Sequence, residues 1–480
     1  MKCSEYTCGP LPHGRGSVPG ARAQIRACKQ AGVRLLVALI CAPALFAQTE
    51  PDGTTALHRA VLAGDLETAK QLLAGSADAN AANRYGVTPL SLAAANANAA
   101  LAQVLLNAGA RASSEILMTA ARSGNADIVR MLAERGADVN ARESSRGETA
   151  LMWAAASNRP EAARVLIERG ADVNARSNTL DFPKDRFGLE GVVTILPRGH
   201  WTPLMYAARE GSLEAARVLA DAKTDLNAAD PDNTTALVLA IMNGHFDTAA
   251  LLVEKGADPN IADTAGMAAL FAAVDMNTLG EIYGRPPRKS TGKLTALDLL
   301  PILLEHGAVV DATLKSPTLH RAHTPGEGSL GEGATPLMRA AKNGDTGAMR
   351  VLLARGADLK RTQKNGTTAL ILAAGLGRGT GVFAKDYATE EQLLAAVKLL
   401  VESGADVNAA AENGQTALHA AAQASDGIVQ YLAGHGANLD AKDKQGRTAL
   451  DVAMGVGVRP RISGEPTARE STAALLRRLK

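Results

Sequence analysis

Residues 147–175 read GETALMWAAASNRPEAARVLIERGADVNA, and this stretch decides the fold. Its first glycine suits a tight turn that needs positive φ, and the hydroxyl of Thr149 can cap the helix that follows. Leucine and an alanine pair give that short helix one apolar face, and the VLI run at 165–167 gives a second helix another. Gly170 can end the second helix in the left-handed conformation. The stretch therefore predicts a turn followed by two short antiparallel helices.

The same frame recurs along the chain from residue 53 onward. Its glycine–threonine opening returns in GTTALH at 53–58, GVTPL at 86–90, GATPLM at 333–338, GTTAL at 366–370 and GQTALH at 414–419. Its ending, GADVNA, occurs at 136–141, 170–175 and 404–409. Gly53 and Gly86 are 33 residues apart, and so are Gly333 and Gly366. A fixed period of this length indicates one supersecondary unit that is stacked many times.

This frame resembles the ankyrin repeat, which consists of a β-turn, two antiparallel helices and a loop. We count eleven copies, which begin at Gly53, Gly86, Ser114, Gly147, Gly199, Asn233, Gly266, Gly333, Gly366, Gly414 and Gly446. The resemblance covers nearly all of 53–480 and implies an all-α repeat solenoid, because a single unit cannot bury its apolar face alone. Glu115 and Ile116 replace the Thr-Pro pair in unit three, and Lys223 replaces the helix-ending glycine in unit five. We expect weaker capping at both places.

Two histidines occupy a position with a known structural role in this family. His58 and His419 stand where ankyrin repeats usually carry a histidine that bonds to the turn backbone, and the resemblance implies the same role here. Met152, Met205 and Met338 replace it in other units. The position therefore predicts structure rather than catalysis.

Charge and cysteine usage exclude two classes of protein. The chain has 51 basic and 49 acidic residues, and residues 1–47 hold six of the bases and one of the acids, which leaves 45 against 48 and a net charge of −3 for the body. A nucleic-acid interface needs a dense basic face. All four cysteines also lie in 1–47. The body therefore has no disulfide and no cysteine-bound metal, and its stability must come from packing.

The leader at 1–47 precedes the predicted repeat domain at 48–480. Arg34 is followed by thirteen uncharged residues, LLVALICAPALFA, which end at Ala47. A basic flank, a short apolar run and a small final residue indicate a signal peptide, and the run is too short for a stable membrane span. We expect cleavage near Ala47 and a periplasmic or extracellular mature chain. The alternative is a disordered tail on a cytoplasmic protein.

Four stretches exceed the repeat. Residues 177–198 and 313–332 lengthen the turns before units five and eight, whereas residues 278–293 and 376–389 separate the two helices of units seven and nine. Insertions in repeat proteins are often located on a working face. Surface loops also tolerate extra length at little entropic cost. Both interpretations stay open, including a ligand-binding or enzymatic site built from the insertions.

No motif in the sequence predicts catalysis, a cofactor or a metal site. The alternating glycines at 375–381 follow a repeat helix, whereas a dinucleotide-binding loop connects a strand to a helix. His320 and His323 could form a metal site with Asp311. Only the two histidines are firm candidates for ligands, so the three residues are weak evidence for a metal site. We predict a protein that is not an enzyme and that binds no cofactor.

The family resemblance also implies where a partner binds. In ankyrin repeats, partners usually contact the turn tips and the first helix of each unit, which together line a concave face. Carried over by position, the partner-facing residues are Arg122, Trp153, Trp201, Tyr206, Arg209, Glu210, Lys342 and Asn343. Tryptophan, tyrosine and arginine dominate binding hot spots. Trp153 and Tyr206 could instead fill the core between helices, whereas we expect Trp201 to be exposed.

These observations predict a non-catalytic, monomeric scaffold or inhibitor that binds a protein through its concave surface. A secreted effector that binds a host or competitor protein is the alternative. Neither reading involves nucleic acid.

Overall fold

The computed structural model describes residues 49–180, 198–278, 292–317, 330–376, 388–457 and 468–480. These ranges form 22 helices and four isolated β-bridges but no strands. The first helices of the units are α1 Ala56–Leu62, α3 Pro89–Ala95, α5 Ser114–Ser123, α7 Ala150–Ala156, α9 Pro203–Glu210, α11 Ala236–Met242, α13 Ala269–Thr278, α15 Pro336–Lys342, α17 Ala369–Ala373, α19 Ala417–Ala421 and α21 Ala449–Ala453. The second helices are α2 Leu66–Ala74, α4 Ala99–Asn107, α6 Ala126–Glu134, α8 Pro160–Glu168, α10 Leu213–Asp221, α12 Phe246–Glu254, α14 Ala296–Glu305, α16 Thr346–Ala354, α18 Glu390–Glu402, α20 Asp426–Gly434 and α22 Glu470–Leu479. The pairs make eleven units, so the predicted repeat solenoid is confirmed.

The predicted turn chemistry is present at the start of the first helices. Thr88 precedes α3, its hydroxyl accepts from the Ser91 amide at 3.2 Å, and the Ser91 hydroxyl accepts from the Thr88 amide at 2.9 Å. Pro89, Pro203 and Pro336 each take the first helical position. The threonine hydroxyls thus satisfy amides that the helix itself leaves without partners, and proline at the first position has no amide hydrogen that would need one.

The two units that depart from the frame keep their caps by other means. In unit three, α5 begins two residues early at Ser114, and the Ser113 hydroxyl accepts from the Ile116 amide at 3.3 Å. In unit five, Lys223 adopts the left-handed φ of +60° that glycine has in most other units. The expected weakening in unit three is therefore offset by Ser113, whereas Lys223 carries the strain of a side chain in that region.

Asparagines connect successive units through paired hydrogen bonds. Asn80 donates from Nδ2 to the carbonyl of Gly109 at 3.0 Å, and its Oδ1 accepts from the Arg111 amide at 2.8 Å. The same two bonds, from 2.8 to 3.0 Å, are made by Asn140, Asn260 and Asn408. We call these four residues the asparagine ladder. Each asparagine thus aligns the loop after its own second helix with the loop after the second helix of the following unit.

The two histidines have the structural role that the sequence predicts. His58 Nε2 lies 2.9 Å from the Val87 carbonyl of the next unit, and its Nδ1 lies 2.8 Å from the Thr55 hydroxyl. His419 repeats the contact with the Arg447 carbonyl at 3.0 Å. Both rings are buried. Each histidine therefore fastens a first helix to the turn of the following unit.

The core is one continuous layer of leucine and alanine between the helices. Ala154 and Ala155 of α7 are fully buried, as are Leu132 of α6 and Leu166 of α8. Small residues on the first helices let neighbouring units approach closely, so each unit is stabilised mainly by its neighbours.

The predicted insertions are described only in part. Residues 181–197 and 318–329 precede first helices along the chain, whereas 279–291 and 377–387 come between the two helices of one unit. These parts of the predicted insertions lie outside the described residues. Residues 454–469 also separate α21 from α22, an interruption that the sequence analysis did not single out.

Candidate functional site

One row of side chains runs along the first helices, at the residue just before the alanine pair. It contains Trp153 in unit four, Tyr206 in unit five, Phe271 in unit seven and Arg339 in unit eight. Trp153 is half-buried, whereas Tyr206 is 9% exposed, Phe271 1% and Arg339 3%. The row is therefore open near unit four and closed towards the C-terminal units.

The expectation that Trp201 is exposed was wrong, because its side chain is only 5% exposed. Its ring packs edge-on against Tyr206 with the ring centroids 5.5 Å apart, and its indole nitrogen lies 3.4 Å from Asp230 Oδ2 in the next unit. Its backbone amide donates to the Ser177 hydroxyl at 3.0 Å. The turns of two units thus enclose the indole ring of Trp201, which its position in the repeat predicted to be exposed.

Tyr206 is also buried, as the core interpretation of this residue required. Its hydroxyl donates to Glu148 Oε1 of unit four at 2.9 Å. Burial, together with the nearby Glu148 carboxylate, raises the pKa of Tyr206 to about 12. The phenol therefore stays protonated near neutral pH and keeps this bond between units four and five.

Two arginines lie over the tryptophan rings. The guanidinium of Arg122 lies 5.0 Å from the centroid of Trp153, and that of Arg209 lies 5.3 Å from the centroid of Trp201. Arg209 also lies 3.6 Å from Glu210. Arg122 is exposed and makes no ion pair within the described part of the chain. Units three to five thus hold five predicted residues in two contacting groups, Arg122 with Trp153, and Arg209 with Trp201 and Tyr206. We call these five residues the aromatic patch.

Lys342 and Asn343 do not join the aromatic patch, because they lie in unit eight, three units beyond it. Asn343 Oδ1 accepts from Arg339 Nη1 at 2.7 Å, and Asn343 lines a separate polar cavity of about 490 Å³ with Asn277 and Asp345. Asn277 Nδ2 in turn donates to Asp345 Oδ2 at 2.6 Å. The structure therefore divides the predicted partner residues between two places.

Arg159 lies beside the aromatic patch and was not among the residues predicted from the sequence. Arg159 stands just before α8, at the position where Asn125 caps α6, and it makes no such cap. Its Nε instead donates to the carbonyl of Arg122 at 3.1 Å. An arginine at a position that favours asparagine, aspartate or serine was a usable signal, because it breaks the capping preference.

The weak chemical motifs gain no support from the described residues. His320, His323 and the glycines at 377, 379 and 381 lie outside them. Asp311 accepts the Asp358 amide at 3.1 Å, which is a structural role. Across the described ranges, no three histidine, cysteine, aspartate or glutamate side chains are grouped to hold a metal ion. No helix there is both long and apolar enough to cross a membrane.

Eleven stacked turn–helix–helix units with one row of first helices define a repeat solenoid. Family models described as "Ankyrin repeats (3 copies)" match residues 25–116, 112–177, 189–278 and 386–458, and a model described as "Ankyrin repeats (many copies)" matches 323–373. The chain belongs to the ankyrin repeat family. Ankyrin repeats are a generic protein-interaction module and are typically not catalytic.

The two similar proteins found by sequence share less than a fifth of their own length with this chain. The Transient receptor potential cation channel subfamily A member 1 homolog of Caenorhabditis elegans is 31% identical over 141 residues, which cover 28% of this chain and 11% of that protein. The Ankyrin repeat, SAM and basic leucine zipper domain-containing protein 1 of Echinops telfairi is 40% identical over 92 residues, 17% of this chain and 19% of that protein. The solved human ASB11 ankyrin repeat domain aligns at 24% identity and a TM-score of 0.40, over 58% of this chain and 98% of that chain.

Proposed function

We propose that this chain is a non-catalytic protein-binding scaffold or inhibitor whose partner docks on the concave surface of units three to five. The observation that carries the proposal is the exposed guanidinium of Arg122 stacked 5.0 Å over the half-buried ring of Trp153. Stacking on an aromatic face holds an arginine in place while leaving its donors available, which lowers the entropy lost on binding. Arginine and tryptophan are also the residue types that dominate hot spots.

The other members of the aromatic patch support this surface from beneath. Trp201 and Tyr206 are buried, so we assign them the positioning of Arg209 rather than contact with the partner. Glu210 is exposed beside Arg209 and belongs to the same surface. Contact by Lys342 and Asn343 stays a prediction for a partner long enough to reach unit eight.

Alanine substitution of Arg122 and Arg209 together is expected to remove the specific partners of this protein. The wild-type chain and the Arg122→Ala, Arg209→Ala variant would be used in parallel affinity purification from the source cells, with quantitative mass spectrometry. A matched control is Arg130→Ala, Arg217→Ala, which removes two arginines from the outer helices of the same units. We expect the first variant to lose at least about tenfold of the bound partner, which corresponds to about 1.4 kcal/mol of binding free energy.

The control arginines lie next to carboxylates on their own helices, at 2.8 Å for Arg130 and Asp127 and 3.6 Å for Arg217 and Glu214. Exposed pairs of this kind contribute little to stability, so both variants should fold. If both variants capture the same proteins in the same amounts as the wild type, the partner does not bind this surface.

We also propose that residues 1–47 direct export, so that the protein acts in the periplasm or outside the cell. The support is the sequence pattern of Arg34 followed by thirteen uncharged residues ending at Ala47. Expression of the full chain in its source cells, followed by N-terminal sequencing of the mature form, should give a start just after Ala47. An intact leader on a cytoplasmic product would exclude export. A secreted effector remains the alternative role for an exported chain.

A further inference from the structure

Arginines on the two faces of units three to five have different surroundings. On the outer second helices, Arg130, Arg164 and Arg217 each lie within 2.8–3.6 Å of a carboxylate one turn away. At the ends of the first helices, Arg122 and the neighbouring Arg159 are exposed, and neither makes an ion pair within the described residues, whereas Arg209 lies 3.6 Å from Glu210. The second helices therefore neutralise their own arginines, whereas Arg122 and Arg159 keep their positive charge.

The acidic residues at the tip of unit four are already engaged within the chain. Although burial acts to raise it, hydrogen bonds from Ser145, Arg146 and the Glu148 amide lower the pKa of Glu143 to about 2. Glu148 accepts the Tyr206 hydroxyl at 2.9 Å and lies 3.9 Å from Arg146. These two carboxylates thus accept donors of their own chain.

A histidine at the same edge is consistent with a positive environment. The pKa of His200 is lowered, first by burial and then by the charges of Arg176 and Arg142. Arg142 is exposed, and its Nε donates to the Gly147 carbonyl at 3.2 Å. Since the body as a whole carries a slight negative charge, the positive charge here is a local feature of the concave side of units three to five.

The separation of Arg122 and Arg209 sets how far apart two carboxylates bound to them must lie. Each is the residue directly after the alanine pair of its first helix, in units three and five. Packed helices lie about 8–10 Å apart, so two steps along the array cover roughly 16–20 Å. An extended chain rises about 3.3 Å per residue, and five or six residues therefore span that distance.

We propose that the concave surface of units three to five binds an extended acidic segment of a partner protein, with two carboxylates about six residues apart. This inference rests on the proposed function and adds the chemistry of the partner. One carboxylate pairs with Arg122 beside Trp153, and the other pairs with Arg209. A guanidinium stacked on an indole presents its remaining donors in the plane that a carboxylate accepts in pairs.

The surface suits an acidic peptide better than a nucleic acid. Sequence-tolerant nucleic-acid binding uses aromatic rings on which successive bases stack. Here Trp201 and Tyr206 are buried, and Trp153 is half-buried under Arg122.

Fluorescence anisotropy with synthetic peptides tests the inference directly. The probe is a labelled peptide with two glutamates about six residues apart on a serine–glycine–alanine background, and matched peptides carry glutamine instead, or glutamates only two residues apart. Against the full mature chain, we expect the six-residue glutamate probe to bind at least about tenfold more tightly than either matched peptide. We also expect its affinity to fall as salt is raised.

Variants that replace arginine by glutamate identify which face of the solenoid binds the peptide. The Arg122→Glu, Arg209→Glu variant should weaken binding of the six-residue probe by at least about tenfold. The Arg130→Glu, Arg217→Glu variant changes the net charge equally, in the same units but on the outer face, and should bind within about twofold of the wild type. Circular dichroism and thermal unfolding of both variants would show that each is folded.

Several results would overturn the inference. The glutamate probe binding no better than the glutamine probe, or not binding at all, excludes an acidic partner segment. Equal weakening by the two charge reversals shows non-specific attraction. A single-stranded oligonucleotide of equal charge that binds more tightly than the glutamate probe would indicate nucleic acid instead. If the peptides fail while Arg122→Ala, Arg209→Ala still loses captured proteins, the protein-binding function stands and only the acidic chemistry is wrong.

Discussion

Arg339→Met is expected to lower the free energy of unfolding by about 3–5 kcal/mol, because it leaves a buried carboxylate without its guanidinium. Arg339 Nε lies 2.5 Å from Asp275 Oδ1, and the two side chains are 4% and 9% exposed. The pair joins α13 of unit seven to α15 of unit eight. Urea unfolding followed by circular dichroism would measure the loss.

Two control variants test whether the lost stability comes from a charge left buried or simply from the removal of an ion pair. Lys364 Nζ lies 2.7 Å from Glu332 Oε2, but these side chains are 74% and 53% exposed, so Lys364→Met should lower the free energy of unfolding far less than Arg339→Met does. The double variant Arg339→Met, Asp275→Leu should regain most of the stability, because two apolar side chains then replace the buried ion pair. Equal costs for Arg339→Met and Lys364→Met would contradict the argument.

Leu166→Ala is the second change with a large expected effect, a loss of about 2–5 kcal/mol. Leu166 lies in α8 of unit four and is fully buried, so its removal leaves a cavity between helices. Because units contact mainly their neighbours, the damage should stay local. Hydrogen exchange followed by mass spectrometry should show faster amide exchange in units three to five and little change at the ends of the array.

Leu62→Ala is the matched control, since Leu62 is 64% exposed at the end of α1. It should change the free energy of unfolding by no more than about 0.5 kcal/mol. A similar loss for both leucines, or faster exchange spread evenly over all eleven units, would argue against a solenoid stabilised by its nearest neighbours.

The fold could be predicted from the sequence because its determinants are local. The Thr149 hydroxyl accepts from the Met152 amide three residues away in the helix that it caps, and Gly170 ends another helix by its own φ of +88°. Such features repeat every 33 residues, so eleven weak signals reinforce each other. The role of His58 followed in the same way, because its position in the frame fixes its contact with the next turn.

The site was harder to predict because it depends on contacts between units. The burial of Trp201 needs Asp230 of the next unit and Tyr206 of its own, neither of which its position in the frame reveals. The Arg339–Asp275 pair joins residues 64 positions apart across two insertions. The repeat pattern predicts the turns and helices that all units share. The candidate binding surface depends instead on the residues that differ from one unit to the next.

The asparagine ladder has a consequence for how such a gene can change. The side chain of Asn140 bonds to Gly170 and Asp172 of the following unit, and the side chain of Asn408 bonds in the same way to Gly436 and Asn438. A duplication or deletion of one whole repeat therefore restores the same pair of bonds at the new junction. A duplication out of phase by a few codons would leave two asparagines facing the wrong backbone groups. Recombination in this gene can thus lengthen or shorten the array in whole repeats while the protein still folds.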